Sequence, residues 1–205
     1  MTLFSADEER RIVEAIEAAE RSTSGEIVAV VAAESASYLS IPLMWSALVA
    51  LLVPWPLIYL TWMPVQWIYL IQLLVFLALL AATLPRKVRL ALVPPSIKRQ
   101  RAHRRAVEQF LAQNLHTTSG RTGVLIFVSV AEHYAEVLAD TGIDAKVPPG
   151  TWQEIVDRLT DHIGEGRPAE GFIVAIAEAG AHLARHFPPG SSDPDELPNH
   201  LIVLQ

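Results

Sequence analysis

The chain has 205 residues, no cysteine and a formal net charge of -6 at neutral pH, with 51% of its residues hydrophobic. Its length suits one ordinary domain plus an appendage. The absence of cysteine excludes disulfides, thiolate metal sites and cysteine nucleophiles, and the acidic balance argues against a general nucleic-acid binder.

The first element opens with Ser5-Ala6-Asp7-Glu8, a capping-box pattern in which hydroxyl and carboxylate satisfy free backbone amides. The acidic start lacks an apolar run, so no secretory leader is expected there. Ile12, Ile16 and Ala19 then recur at helical spacing. Ser24-Gly25 stops that helix, and Ile27 to Ala32 is a valine-rich run of the kind that forms a strand buried on both faces.

Two stretches without charge follow, Ile41 to Trp62 and Trp67 to Leu84, joined by a short loop around Pro64. A bilayer core of about 30 Å is crossed by roughly 20 apolar residues, so residues 39–85 are expected to be a transmembrane hairpin and the chain an integral, multi-pass protein of the inner (cytoplasmic) membrane. Pro54 and Pro56 are expected to kink the first span, and Trp45, Trp55, Trp62 and Trp67 suit interfacial anchoring or packing within the hairpin. Arg86, Lys87, Arg89, Lys98, Arg99, Arg101, Arg104 and Arg105 crowd behind the second span, which assigns the soluble part to the cytoplasmic side and would suit anionic head groups.

Pro94-Pro95 breaks the chain before a helix from about Ser96 to Leu115, with Val107, Phe110 and Leu111 on one face and basic residues on the other. Val124 to Val130 is a second fully apolar strand. Thr23-Ser24-Gly25 and Thr118-Ser119-Gly120 precede the two buried strands, and each glycine is expected to close a helix in the left-handed conformation. Tyr134 to Asp140 reads as a third strand, antiparallel to the second because so short a connection forbids a parallel crossover. Thr151-Trp152-Gln153-Glu154 looks like another capping box, opening a helix that ends near Gly164, and a last helix runs from about Ala169 to Phe187. Residues 189–205 are expected to be a linker and short tail, Pro188 to Pro194 being mobile, with Leu201 to Leu204 as a possible edge strand. The result is an α/β fold, a small mixed-sheet α/β/α sandwich built from residues 1–38 and 86–188 and interrupted by the hairpin.

This order places Glu26, Arg121, Asp140 and Asp144 on one rim of the sheet, at the starts of the two buried strands. Asp140 and Asp144, with Glu26 and carbonyls near Gly142, offer oxygen ligands for a hard cation such as calcium or magnesium, and Arg121 offers a bidentate grip on a substrate phosphate. The competing reading of Asp140-Thr141-Gly142 is a turn in which the aspartate bonds its own backbone. The opposite rim carries Glu34, Ser35, Ser129, Glu132 and His133, at the carboxyl ends where ligands of open sheets usually lie. His182 and His186 have zinc spacing without the glutamate of the usual motif. No phosphate loop, dinucleotide fingerprint or nucleophile elbow occurs.

Ser24-Gly25-Glu26-Ile27-Val28-Ala29-Val30-Val31, Arg121-Thr122-Gly123-Val124-Leu125-Ile126-Phe127-Val128-Ser129, Asp140-Thr141-Gly142-Ile143 and Glu170-Gly171-Phe172, in this order, resemble the TPM domain family. That family includes thylakoid-lumen proteins of photosystem repair with reported acid phosphatase activity, and many bacterial membrane proteins. The resemblance spans nearly all of the soluble part and implies its fold. It also implies two functions: an accessory module that meets a membrane protein partner or itself, in assembly, quality control or stress, or a metal-dependent phosphatase acting on phosphate esters at the membrane surface. Other members carry a leader and an anchor after the domain, whereas here two spans interrupt it.

Overall fold

The computed structural model describes residues 3–118, 120–189 and 197–204. In chain order it contains α1 (Ala6–Glu20), β1 (Glu26–Ala32), α2 (Ser40–Leu52), α3 (Pro54–Leu60), α4 (Val65–Thr83), α5 (Arg86–Ala91), α6 (Pro95–Ala112), β2 (Gly123–Ser129), β3 (Tyr134–Ala139), α7 (Thr141–Asp144), α8 (Thr151–Gly164), α9 (Pro168–His186) and β4 (Leu201–Leu204). Two compact units result: Met1–Ser35 with Arg99–Gln205, and Ala36–Lys98.

The first unit is a three-layer sandwich around a sheet of order β3-β2-β1-β4. β1 pairs in parallel with β2, Glu26 opposite Gly123 and Ala32 opposite Ser129. β4 adds in parallel on the other side of β1, so the tail beyond residue 189 supplies an edge strand as well as a connection. β3 runs antiparallel to β2.

Because successive side chains of a strand point to opposite faces, the apolar run of β1 divides between two cores. Ile27, Ala29 and Val31 join Val124, Ile126 and Val128 of β2 under α1, α8 and α9, where Ile12, Ile16, Ile155, Leu159, Phe172, Ile176 and Leu183 are buried. Val28, Val30 and Ala32 join Leu125 and Phe127 on the other face, under Ala106 and Phe110 of α6. Burial on both faces explains why neither strand shows polar alternation.

Several local expectations resolve differently. The Ser5 box forms: Glu8 N–H meets the Ser5 hydroxyl at 3.3 Å and Ser5 N–H meets Glu8 Oε2 at 2.8 Å. The box at Thr151 does not, because Gly150 is the cap residue, at φ 91°, and Thr151 already lies inside α8. Neither Gly25 nor Gly120 is left-handed; the positive φ values before β2 fall on Asn114 (57°) and Arg121 (53°). Gly25 is needed for space instead, since a Cβ there would lie 2.9 Å from Leu183 Cδ1 and 3.2 Å from the Thr122 carbonyl oxygen. Ser119 and Gly190 to Pro194, part of the expected linker, lie outside the described residues.

In the second unit α2 and α3 form one apolar stretch, Ser40–Leu60, and α4 another. The first breaks at Val53, where Pro54 opens α3 without an N–H to donate. Both are long and apolar enough to cross a membrane, with 22% and 6% of their most apolar windows buried. α5, a short basic helix, was not foreseen; Leu90, Leu92 and Val93 at its end pack with Tyr38 and Ile41.

Candidate functional site

The amino-terminal rim of the sheet is set by register. Glu26 N–H bonds the Thr122 carbonyl at 3.1 Å and Asp140 N–H bonds the Gly123 carbonyl at 2.9 Å, so Glu26, Arg121 and Asp140 stand at one end of three adjacent strands. Asp140 is 5% exposed. It caps α7: its Oδ1 accepts from Thr141 N–H at 2.7 Å and from the Thr141 hydroxyl at 3.2 Å. That is the local bonding expected of an aspartate turn, extended here into a helical turn.

Arg121 reaches toward the same oxygen, its Nη1 3.9 Å from Oδ1, while remaining 61% exposed. Asp140 Oδ2 is buried without a hydrogen-bond partner among the described residues. Asp144 lies one helical turn on, its N–H bonded to the Asp140 carbonyl at 3.1 Å. Gly142 lets α7 sit on the 120–121 loop, because a Cβ there would come within 2.6 Å of both the Gly120 and Arg121 carbonyl oxygens. Among the described residues no three His, Cys, Asp or Glu side chains converge on a point. Calcium takes six to eight oxygens and magnesium an octahedron, and the cation beside Asp140 is the guanidinium of Arg121.

At the opposite rim the polar residues hold one another. The Ser35 hydroxyl donates to Ser129 Oγ at 2.6 Å, and the Ser129 hydroxyl donates to Glu132 Oε2. Glu132 also accepts from Ser35 N–H at 3.0 Å. Ser129 is fully buried, and the cluster ties the β2–β3 turn to the end of β1. His133 stands beside it at φ 50°, on a turn closed by its N–H to the Val130 carbonyl at 3.3 Å.

A third place was not foreseen. Between α6 and α8, along β3, lies a cleft of about 760 Å³ whose lining includes Arg99, His103, Glu136, Trp152, Val156 and Asp157. His103 Nδ1 lies 2.9 Å from both Glu136 oxygens, and the Tyr134 hydroxyl donates to Glu136 Oε2 at 3.0 Å. Burial, then the Glu136 carboxylate, pushes the Tyr134 phenol well above its ordinary value, so it stays a hydrogen-bond donor. The available signal was the charge at Glu136 within the alternating strand Tyr134–Ala139, a lone carboxylate that calls for a partner on one face.

A three-layer α/β sandwich with a mixed sheet and a glycine-dependent Asp-Thr-Gly turn defines the class. The chain belongs to the TPM domain family, whose model matches residues 77–182, from within α4 through most of α9. The NMR structure of BA42 protein from the psychrophilic bacterium Bizionia argentinensis is similar in fold, with a TM-score of 0.63 at 22% identity over 98% of this chain and 96% of that one. No curated protein matches the chain.

Proposed function

We propose that this chain is a membrane-anchored TPM module. The Ser40–Leu60 and Val65–Thr83 helices span the inner membrane, and the α/β unit acts on its cytoplasmic side as an accessory to a membrane protein complex in assembly, quality control or stress. The observation that carries this reading is the exposed apolar surface of α2, α3 and α4: Leu48, Leu52, Trp55, Leu60, Trp67, Leu73 and Leu74 are each at least 47% exposed. Water makes such a surface unfavourable by roughly 25 cal/mol per Å², and lipid removes that penalty. The basic residues following Val65–Thr83 support the cytoplasmic assignment.

The alternative, a phosphatase acting on phosphate esters, is supported by Asp140 and Arg121 standing together on one rim, the arginine exposed enough to meet an anion. The guanidinium that stands beside Asp140 weighs against a metal-dependent form, and Ser129 at the opposite rim is fully buried.

Membrane fractionation with an alkaline wash, reporter fusions in the Pro64 loop and at the carboxyl terminus, and purification in mild detergent test the proposal together. The expected results are retention in the washed membrane, a cytoplasmic carboxyl terminus and a stoichiometric partner. Release by the wash overturns it. Turnover of p-nitrophenyl phosphate by purified protein, abolished by Asp140→Asn, favours the enzyme instead.

A further inference from the structure

We propose that the apolar hairpin pairs with a second copy of this chain through the groove that α2 and α4 form at Gln72, the two Gln72 carboxamides bonding each other across a two-fold axis. This rests on the reading of the hairpin as lipid-embedded and names one occupant for its surface.

Inside a bilayer a polar group must find its partner in protein, since the hydrocarbon core holds no water to supply one. The threonine hydroxyls of the two apolar helices do so locally: Thr61 donates to the Leu57 carbonyl, and Thr83 donates to the Leu79 carbonyl at 2.8 Å. Ser46 is buried within the hairpin, its Oγ without a partner, so no other chain reaches it. Gln72 is different. It is half-buried on α4, and its carboxamide has no hydrogen-bond partner among the described residues. Two donor hydrogens and a carbonyl acceptor are thereby left unmet.

Depth keeps water from meeting them. α4 runs from Val65 to Thr83, which puts Gln72 roughly 10 Å along the helix axis from one end and roughly 16 Å from the other, at 1.5 Å per residue. Gln66 lies in the first turn of the same helix, beside the Pro64 loop, where interfacial water serves it. Polar side chains held inside spans are costly and characteristically face a protein partner.

Shape and symmetry select the occupant. Gln72 lines a groove of about 410 Å³ together with Ala47, Ala50 and Leu51 of α2 and Tyr69 and Phe76 of α4. The alanines leave room on the α2 side for another helix to come close to the amide, which is how small residues serve helix pairs in lipid. Copies of one chain insert with the same orientation, so their Gln72 side chains lie at the same depth. A two-fold axis along the membrane normal then brings them face to face. A carboxamide is its own complement, each donating an N–H to the other's carbonyl, and an isologous interface satisfies both. An unrelated helix would need a polar group at that same depth, which a second copy has by construction. Neither apolar stretch carries a charge, so no like-charge contact opposes the pairing.

The test uses the full chain, which has no cysteine of its own, so a single introduced cysteine reports proximity without background. In isolated membranes treated with copper phenanthroline, Leu73→Cys, in the groove, is expected to give a disulfide-linked dimer. Leu74→Cys, the next residue and outside the groove lining, is not. Sedimentation equilibrium of purified protein in detergent should show a monomer–dimer equilibrium that Gln72→Leu weakens by about tenfold and Gln72→Asn, which keeps the amide, by less than about threefold. Unchanged thermal unfolding of the α/β unit in both variants is the folding control. A wild type that stays monomeric at every protein-to-detergent ratio overturns the proposal, as does a dimer that Gln72→Leu leaves unchanged or equal cross-linking at the two cysteine positions. So does a different membrane protein that co-purifies with wild type and is lost with Gln72→Leu, which would make that protein the occupant. Release of the chain by an alkaline wash removes the lipid reading and this inference with it, whereas a monomer retained in the washed membrane removes this inference alone.

Discussion

The two units of this chain treat the same amino acids in opposite ways. In Met1–Ser35 with Arg99–Gln205, most large apolar side chains of the sheet and its covering helices are buried or half-buried, and only Val107, Leu111, Val130 and Val203 stand out among the exposed large apolar residues described. In Ala36–Lys98, leucine and tryptophan are exposed along nearly the whole of α2, α3 and α4. Periodicity makes the difference. α1 and α8 have a polar face and an apolar face, so burial of one against the sheet suffices. α4 is apolar all round and has only Ile68 buried, which a partner helix cannot remedy on every side. The lesson is that hydrophobic content alone does not mark a core; the distribution around the helix decides whether the surrounding medium must be protein or lipid.

Truncation should expose this contrast most strongly. Phe172→Ala, at a fully buried position between α9 and the sheet, is expected to destabilise the α/β unit by about 3–5 kcal/mol. Leu74→Ala, more than half exposed on α4, should change its thermal unfolding in detergent by less than about 0.5 kcal/mol. A comparable loss from both would mean that the α4 surface is packed against protein. Charge inverts the sensitivity: Leu74→Arg should disfavour membrane insertion by about 2.5–3.5 kcal/mol, seen as a drop in the membrane fraction, whereas Val203→Arg on the edge strand should leave fractionation unchanged. If Leu74→Arg fractionates like wild type, the apolar helices are not in lipid.

Most of the fold was legible because it rests on patterns local to the chain. The apolar runs of β1 and β2, the three-residue link that forces β3 antiparallel and the Ser5-Glu8 box each state their structure within a few residues. The reversal at Thr151 shows the limit: its sequence suits a capping box, but Gly150 adopts the left-handed conformation and takes the cap position. Gly25 is instructive in the same way, since its small size answers to Leu183, far away in sequence. The rim of Glu26, Arg121 and Asp140 could be assembled from connection order alone. The cleft beside β3 could not, because it depends on where α6 and α8 flank an edge, and the His103–Glu136 contact joins residues with no shared motif.

Gly142 tests whether the rim is held by backbone packing. A methyl group there would lie 2.6 Å from two carbonyl oxygens of the 120–121 loop, and neither can swing aside as a side chain would. Gly142→Ala is expected to destabilise the α/β unit by about 1–3 kcal/mol and to detach α7, while the same change at Gly164, where a Cβ meets nothing within 4 Å, should be neutral or slightly stabilising. Equal effects from the two in thermal unfolding would show that α7 is not seated on that loop.

The smallest effect belongs to the start of α1 and depends on pH. The Ser5 backbone N–H, then its hydroxyl, hold the Glu8 carboxyl below its ordinary value, with a lesser contribution from Arg11. A carboxylate whose folded pKa is lowered stabilises the fold above its unfolded pKa, and that contribution fades as pH falls through the folded one. Wild type should therefore lose a small part of its stability in the acid limb below the ordinary glutamate range. Glu8→Gln can still accept in the box but has no proton to gain, so its acid limb should be flatter, and Glu8→Ala should lack the box at every pH. Thermal unfolding of the three proteins between neutral pH and pH 3 reads the difference, and parallel curves for wild type and Glu8→Gln would mean that protonation of this carboxylate is not coupled to the folding of α1.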